Sequence, residues 1–510
     1  MSVASDTPLI RPDDEHNRVL IDNVHPPDWT NPTPSGTYDM VVVGAGTAGL
    51  ITAIGCAGLG KKVALLERHL MGGDCLNVGC VPSKAVIRAA RAAAEVRDAA
   101  ELGTNVSGYS VDFAHLMERM RRLRAGISRH DSARRYTEAG VDVFIGQGVF
   151  TGPDRVEVDG QTLLFKKACI ATGARASAPP IPGLDEVDYL TNETIFELTE
   201  LPRRLGVIGA GPIGCELAQS FARFGTEVSL IESTHGILPR EDPDAAAIVK
   251  QSMVKDGVQL YCCGREVRLE RDGDGARFVL ASHDKSYDFT VDQVLVAAGR
   301  APNVDGLGLE AAGVDFDRRG VKVNDRLQTS NRNIFAAGDI ASRYQFTHAA
   351  DATSRIVIRN ALFPWLPFKG RASKLIMPWC TYTEPEIAHV GRYPKELEEA
   401  GVRFSTVEIP LKSIDRAILE GQDEGILKVH VRPGGRILGA TLVAAHAGDM
   451  ISELTTAMVH GVKLHQMSKV IHPYPTQAEA IKRAGDQYFR TWALRLKDRV
   501  TRPWTMFTGS

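Results

Sequence analysis

The sequence predicts an α/β chain with two Rossmann-like dinucleotide-binding domains followed by a C-terminal α+β domain. Three observations predict it. Two strand–glycine loop–helix fingerprints occur, one at Gly44 and one at Gly209. A glycine-rich run carrying two cysteines lies between them, immediately before a helical stretch. From about Met377 the pattern changes to short alternating strands and helices, at residues 426–431, 437–443 and 450–460. A length of 510 residues accommodates two or three such domains.

Residues 1–36 are polar and rich in Pro and Asp, and they read as an extended arm. Trp29 and Val19-Leu20-Ile21 would anchor it to the body. At Tyr38 the pattern changes. Residues 40–43 form a buried strand, and Gly44, Gly46 and Gly49 punctuate the turn into a helix. A second strand, residues 63–66, ends at Glu67. The glycines permit a tight turn and let the backbone approach a pyrophosphate at the helix N-terminus. The acid accepts a ribose hydroxyl hydrogen bond.

The cysteine run reads Gly72-Gly73-Asp74-Cys75-Leu76-Asn77-Val78-Gly79-Cys80-Val81-Pro82-Ser83-Lys84. Pro82 fits the first turn of a helix, and the Ala- and Arg-rich residues 85–100 continue it. Cys80 would then sit at a helix N-terminus, where free N–H groups and the dipole stabilise a thiolate. Cys75, one loop earlier, is placed to reach it and form a disulfide. A zinc site fits this spacing poorly, because no further Cys or His lies near. No metal-ligand set is read anywhere in the chain.

Residues 112–139 form a basic helical stretch whose Arg119, Arg121, Arg122 and Arg124 read as a solvated face. Short strands follow, and the apolar residues 168–170 lead into Ala171-Thr172-Gly173. The second fingerprint repeats the first. Residues 206–208 form the strand, Gly209, Gly211 and Gly214 the loop, and residues 228–231 the next strand, which ends at Glu232. Two complete fingerprints mean two dinucleotide sites. Further on, Asn333-Ile334-Phe335-Ala336-Ala337-Gly338-Asp339 puts a carboxylate at a strand end after glycine, which suits hydroxyl recognition.

Net charge is −2, which points to no nucleic-acid or membrane surface. No apolar run approaches the ~18 residues of a membrane span. The N-terminus is acidic and Pro-rich where a signal peptide needs basic and then apolar residues. Eight thinly spread cysteines suit a reducing compartment, so a cytoplasmic location is expected. Cys262 and Cys263 are adjacent, a spacing that rarely pairs.

The run from Gly72 to Lys84 resembles the redox-active signature of the class I flavoprotein disulfide reductases, also called pyridine nucleotide-disulfide oxidoreductases. That family includes dihydrolipoamide dehydrogenase, glutathione reductase and mercuric reductase. The resemblance extends from about Tyr38 to Phe489. It implies FAD at the first fingerprint, with Gly73 beside it, and NADH or NADPH at the second. Cys75 is then the interchange thiol that meets substrate, and Cys80 the thiol that contacts the flavin. Lys84 and Glu216 would pair beside the flavin. Ala171-Thr172-Gly173 resembles the crossover between the two domains, and the stretch through Gly299 and Arg300 the return. Asp339 would hold the ribityl chain, with Gln345 and His348 as packing neighbours. The implied division is 1–36 arm, 37–185 FAD domain, 186–299 NAD(P) domain, 300–370 FAD domain again, 371–490 interface domain and 491–510 tail. The interface domain implies a homodimer in which each copy completes the other's site.

The chain departs from the family at its C-terminal motif, usually His-Pro-Thr-x-x-Glu. Here it reads Ile471-His472-Pro473-Tyr474-Pro475-Thr476-Gln477-Ala478-Glu479. With Thr476 and Glu479 in register, Tyr474 takes the histidine position. A tyrosine, pKa about 10, is a poor general base at neutral pH. His472 is the candidate substitute. Mercuric reductases carry tyrosine there, since thiolate ligation of a soft ion needs no such base. Arg240 to Pro243, Asp415 to Ala417 and Tyr189 also resemble their segments. An N-terminal metal-binding domain and a cysteine pair in residues 505–510 are expected to be missing. The expected activity is therefore NAD(P)H-dependent reduction of a small thiol-reactive substrate, mercuric reductase-like. The alternatives are reduction of another oxidant or disulfide, such as hypothiocyanous acid or a quinone, or a dihydrolipoamide dehydrogenase-like component of a complex. Glu232 would repel a 2′-phosphate, so NADH is expected to be preferred.

Overall fold

The apolar strand Met40–Val43 is buried along its whole length, as strands covered on both faces are. It is the middle strand of a five-stranded parallel sheet in a computed structural model that describes residues 10–233 and 236–491. The order is Ile334–Ala336, Ala168–Ile170, Met40–Val43, Val63–Glu67 and Val141–Ile145. A second five-stranded parallel sheet runs Tyr189–Leu190, Gln293–Val296, Arg204–Ile208, Glu227–Ile231 and Gln259–Tyr261. In each sheet the fingerprint strand is central, so its glycine loop opens at the carboxyl ends of the strands, where such sheets bind ligands. Residues 505–510, read as lacking a cysteine pair, lie outside the described residues.

Antiparallel pieces are appended to both units. The strands Arg265–Asp272, Gly275–Ser282 and Lys285–Val291 form a meander beside the second sheet. The expected return through residues 294–303 is two strands. Gln293–Val296 stays in the second sheet, and Arg300–Pro302 pairs antiparallel with Ala174–Ala176 to make a two-stranded link. The C-terminal region is a five-stranded antiparallel sheet, Pro378–Thr381, Glu386–Gly391, Ile437–Ala444, Ile426–Val431 and Ser405–Pro410. The helix Ala447–Val459 packs on it through Met450, Ile451 and Leu454. No helix among the described residues is long and apolar enough to cross a membrane.

Two expectations are corrected. The arm is not extended throughout. Glu15–Val24 is a helix whose N-terminus is capped by Asp14, accepting from the Asn17 N–H at 2.9 Å. Leu20 and Val24, one turn apart, are fully buried, and the Trp29 indole donates to the Val143 carbonyl at 3.2 Å. The arginine cluster is not a solvated face either. On the helix Phe113–Ser128, Met117, Met120, Arg121, Arg124 and Ser128 follow helical spacing and face inward. Arg124 donates to the Asn77 carbonyl at 2.6 Å and to Asn17 Oδ1 at 2.7 Å, and Arg121 pairs with Asp14. Of the four only Arg122 is exposed. These arginines tie the arm to the loop that carries the cysteines.

Candidate active site

A cleft of about 3440 Å³ runs between the two parallel sheets. This is several times the ~300–1,000 Å³ of a drug-sized pocket. Both glycine loops open into it. A Cβ on Gly49 would lie 1.7 Å from the Gly44 carbonyl oxygen, and one on Gly214 would lie 1.9 Å from that of Gly209. Each third glycine therefore lets the helix pack onto its own turn. Gly46 and Gly211 cap the two helices, and a Cβ on Gly211 would meet nothing within 4 Å. A Cβ on Gly46 would meet only Gly73 Cα, at 3.7 Å, and both helix N-termini, of Thr47–Gly58 and Pro212–Phe224, border the cleft, a cradle suited to a pyrophosphate. Glu67 accepts from the Ala45 N–H at 2.7 Å, and Glu232 from the Ala210 N–H at 2.9 Å. Burial pushes the Glu67 carboxyl upward.

The cysteine run folds as a short helix, Gly73–Asn77, then the long helix Cys80–Asp98, which Cys80 begins with Gly79 as its cap. Cys75 and Cys80 are free thiols in hydrogen-bond contact with each other. The Cys80 thiol is drawn down to about 6, above all by the hydrogen bond from Cys75. The Thr347 hydroxyl, 3.3 Å away, and the nearby Lys84 charge act in the same direction, while burial and Glu216 oppose them. Cys75 is pushed upward by its bond to Cys80 and by burial. Both shifts run the same way, favouring loss of the proton from Cys80 before Cys75.

Around it the structure collects other named side chains. Lys84 Nζ lies 2.8 Å from Glu216 Oε2, and Glu216 Oε1 accepts the Tyr382 N–H at 2.8 Å. The ammonium also sits 4.4 Å from the centre of the Tyr382 ring. Gly73, Ala171, Thr172, Gly173, Gly299, Gly338 and Asp339 line the cleft. Burial raises the Asp339 carboxyl to about 6, opposed by Arg300 at 3.8 Å. Arg300 also pairs with Asp74, fastening the cysteine run to the two-stranded link. Gln345 and His348 line the cleft too. His348 donates to the Pro378 carbonyl at 2.6 Å and stacks on Phe346.

Four of the side chains singled out in the sequence do not line this cleft. Tyr189 lies at the edge of the second sheet. Tyr474 is 72% exposed and donates to Asp415 Oδ2 at 2.9 Å. The His472 ring meets the Glu453 carboxylate at 3.1 Å, and Glu479 pairs with Arg483 at 2.9 Å. Sequence reasoning missed Thr347, Tyr382 and Cys380. Cys380 lines the cleft, its thiol pushed up by burial and by the Glu386 and Glu216 charges. Thr347 lies between the two residues that were noticed, Gln345 and His348, so its position in the chain was the available signal.

The paired cradles, the buried carboxylates and the size of the cleft fit FAD and NAD(P)H. The family described as Pyridine nucleotide-disulphide oxidoreductase matches residues 38–354, and its dimerisation domain matches residues 377–485. A mercuric reductase from Staphylococcus aureus is 35% identical over 456 residues, covering 88% of this chain and 82% of that protein. A dihydrolipoyl dehydrogenase from Chlamydia muridarum is 32% identical over 453 residues, covering 87% and 95%. Among solved structures, the Cu(II) complex of the HOCl-induced flavoprotein disulfide reductase RclA from Escherichia coli has a TM-score of 0.77 at 27% identity, covering 89% of this chain and all of that one. The chain belongs to the pyridine nucleotide-disulphide oxidoreductases and is an FAD-dependent oxidoreductase of NAD(P)H.

Proposed function

We propose that this enzyme reduces a small, thiol-reactive substrate at Cys75, in the manner of a mercuric reductase. The observation that carries the reading is the placement of two free thiols at the start of the helix Cys80–Asp98, with Thr347 3.3 Å from Cys80 and the Lys84–Glu216 pair one turn on. FAD, when bound, supplies the two-electron relay between nicotinamide and dithiol. The chain's residues do the rest. The two fingerprint helices hold pyrophosphates at their N-termini, and Glu67 and Glu232 take ribose hydroxyls. Asp339 takes further hydroxyls. Lys84, oriented by Glu216, keeps a positive charge beside Cys80. Cys75 releases its proton as its sulfur bonds the substrate. An oxidant then takes two electrons from the pair, leaving the Cys75–Cys80 disulfide, whereas a soft cation is held between the two sulfurs as ligands and would take the two electrons that NAD(P)H delivers by way of the flavin, the sulfurs staying reduced.

Tyr474 favours substrates that need no proton delivered to a leaving thiol. It is a weak base to begin with, and its hydrogen bond to Asp415 raises its pKa further. That weighs against a dihydrolipoyl dehydrogenase role despite the similar relatives. The likeness to RclA, described as HOCl-induced, favours a second reading: reduction of an oxidant such as hypothiocyanous acid. We also propose a homodimer. Ile471 (92%), Tyr474 (72%) and Leu419 (71%) are large side chains left exposed on the C-terminal domain.

The test is NADH and NADPH oxidation with Hg(II), small disulfides, quinones and hypothiocyanous acid as acceptors. Acceleration by Hg(II) that disappears in Cys75→Ser supports the first reading, and acceleration by hypothiocyanous acid alone supports the second. Efficient NADH oxidation with lipoamide as the disulfide acceptor, or rates indifferent to Cys75→Ser, would overturn both.

A further inference from the structure

Outside the cleft, the two Sγ atoms of Cys262 and Cys263 and a ring nitrogen of His283 all lie within 4.8 Å of one another. None of the three residues lines the cleft. Adjacent residues leaving a strand normally point to opposite faces. Here the strand Gln259–Tyr261 ends just before them, and Cys263 is left-handed, with φ +57°. That turn brings its sulfur to the same side as that of Cys262.

The third member comes from a hairpin tip. His283 and Asp284, φ +47° and +60°, join the strands Gly275–Ser282 and Lys285–Val291, which pair up to Ser282 and Lys285. Two-residue turns of this kind want positive φ at both positions, and sequences such as Asn-Gly provide it with least strain. Histidine is among the non-glycine residues that adopt positive φ, and here the turn carries its ring to the cysteines. The ring nitrogen lies 3.0 Å from Cys262 Sγ. The tip is pinned in place, because the Ser282 hydroxyl donates to the Cys262 carbonyl at 2.6 Å. The loop is held from the other side by the Gly264 N–H, which donates to the Glu232 carbonyl at 2.8 Å.

We propose that Cys262, Cys263 and His283 form a binding site for one thiophilic d10 cation, Cu(I) or Zn(II), separate from the Cys75–Cys80 pair. Two thiolates and an imidazole are the donor set these ions favour. Metal–sulfur bonds of about 2.3 Å let two sulfurs share one ion up to about 4.6 Å apart, so only small side-chain adjustments are needed. The cysteines are half-buried and His283 is exposed, leaving the site open to solvent. Cu(I) would be three-coordinate, and Zn(II) would add a water. Either ion displaces the two thiol protons to solvent, so affinity rises with pH.

The experiment uses the flavin-loaded, full-length Cys75→Ser/Cys80→Ser enzyme, which lacks the competing dithiol. Anaerobic protein is titrated with Cu(I) against a bathocuproine chelator and, separately, with Zn(II) against a chromogenic indicator. A single equivalent of one ion is expected, and the arm that shows it identifies the ion. Adding Cys262→Ser and Cys263→Ser should abolish that equivalent. His283→Asn, which keeps a residue tolerant of the left-handed turn, should weaken it by at least about tenfold, since losing even an outer-shell partner costs roughly 10–100-fold. Flavin content reports that the variants fold. Binding that survives in the serine variant, binding unchanged in His283→Asn, or no stoichiometric binding of either ion would overturn the proposal.

Discussion

Lys84 Nζ stands 2.8 Å from Glu216 Oε2 and joins the cysteine-bearing helix to the helix of the second fingerprint. Glu216 is buried, whereas the Lys84 side chain is 36% exposed. Removing one member of a fully buried pair costs about 3–5 kcal/mol, and solvent screening at the lysine reduces that to about 1–2 kcal/mol for Lys84→Met. Denaturant unfolding of the flavin-loaded enzyme measures it. The double variant Lys84→Met/Glu216→Gln should lose less than the sum of the singles, because the uncompensated carboxylate is gone. Strict additivity would show that the two side chains are not coupled.

The dithiol predicts a pH profile. The Cys80 thiol is lowered to about 6 from an ordinary 9, so its deprotonated form is the one favoured. In the two-electron-reduced enzyme the long-wavelength thiolate-to-flavin absorbance should be present above about pH 6 and lost as pH falls through it. Cys75 is the largest cause of the lowering. The Cys75 variants cannot form the disulfide, so in them the band is read in the oxidised enzyme, where the Cys80 thiolate stands beside oxidised flavin: Cys75→Ala should move the midpoint upward, and Cys75→Ser, which still offers a hydroxyl, should move it less and retain the band at neutral pH. Cys80→Ser should abolish it. Identical behaviour of the Cys75→Ser and Cys80→Ser variants would mean the roles are misassigned.

Coenzyme choice rests on Glu232. Its carboxylate is buried at the end of the strand Glu227–Ile231 and accepts from the fingerprint loop. A 2′-phosphate placed there would meet a negative charge, and Arg240 in the same cleft is the nearby counterweight. We expect kcat/KM to be higher with NADH than with NADPH, and Glu232→Gln to narrow the gap. Equal or better use of NADPH by the unmodified enzyme would show that Arg240 outweighs the acid.

What could be read from the chain was local. The fingerprints are strand, loop and helix within one short stretch, and their glycines answer to backbone contacts inside that stretch. Lys84 and Glu216 are far apart in sequence, and only a family resemblance joined them. Thr347 meets Cys80 across 267 positions, with no motif to announce it. Arg121 and Arg124 were misread because charge suggests solvent. Their partners, Asp14 and Asn17, belong to an arm whose composition concealed a capped helix. The Cys262, Cys263 and His283 cluster was invisible for a similar reason: left-handed backbone at Cys263 and His283 decides where the side chains go.

The last prediction concerns assembly. Tyr474 and Cys75 belong to one chain, yet Tyr474 stands exposed against Asp415 and does not line that chain's cleft. If its hydroxyl serves the dithiol, it serves the dithiol of a second copy. In a two-fold dimer each site would then take Cys75 from one chain and the segment around Tyr474 from the other. Mixing Cys75→Ala with Tyr474→Phe chains tests this directly. One site of each hybrid carries both lesions and the other carries neither. Random exchange makes about half the dimers hybrid, so about one quarter of the unmodified activity should return above that of the separate variants. The exchange requires dimers that dissociate, which brief dilution and reconcentration can drive. A mixture that gives only the mean of its parents after proven subunit exchange, or a monomeric mass at assay concentration, would place Tyr474 outside the reaction and leave its hydrogen bond to Asp415 as its whole role.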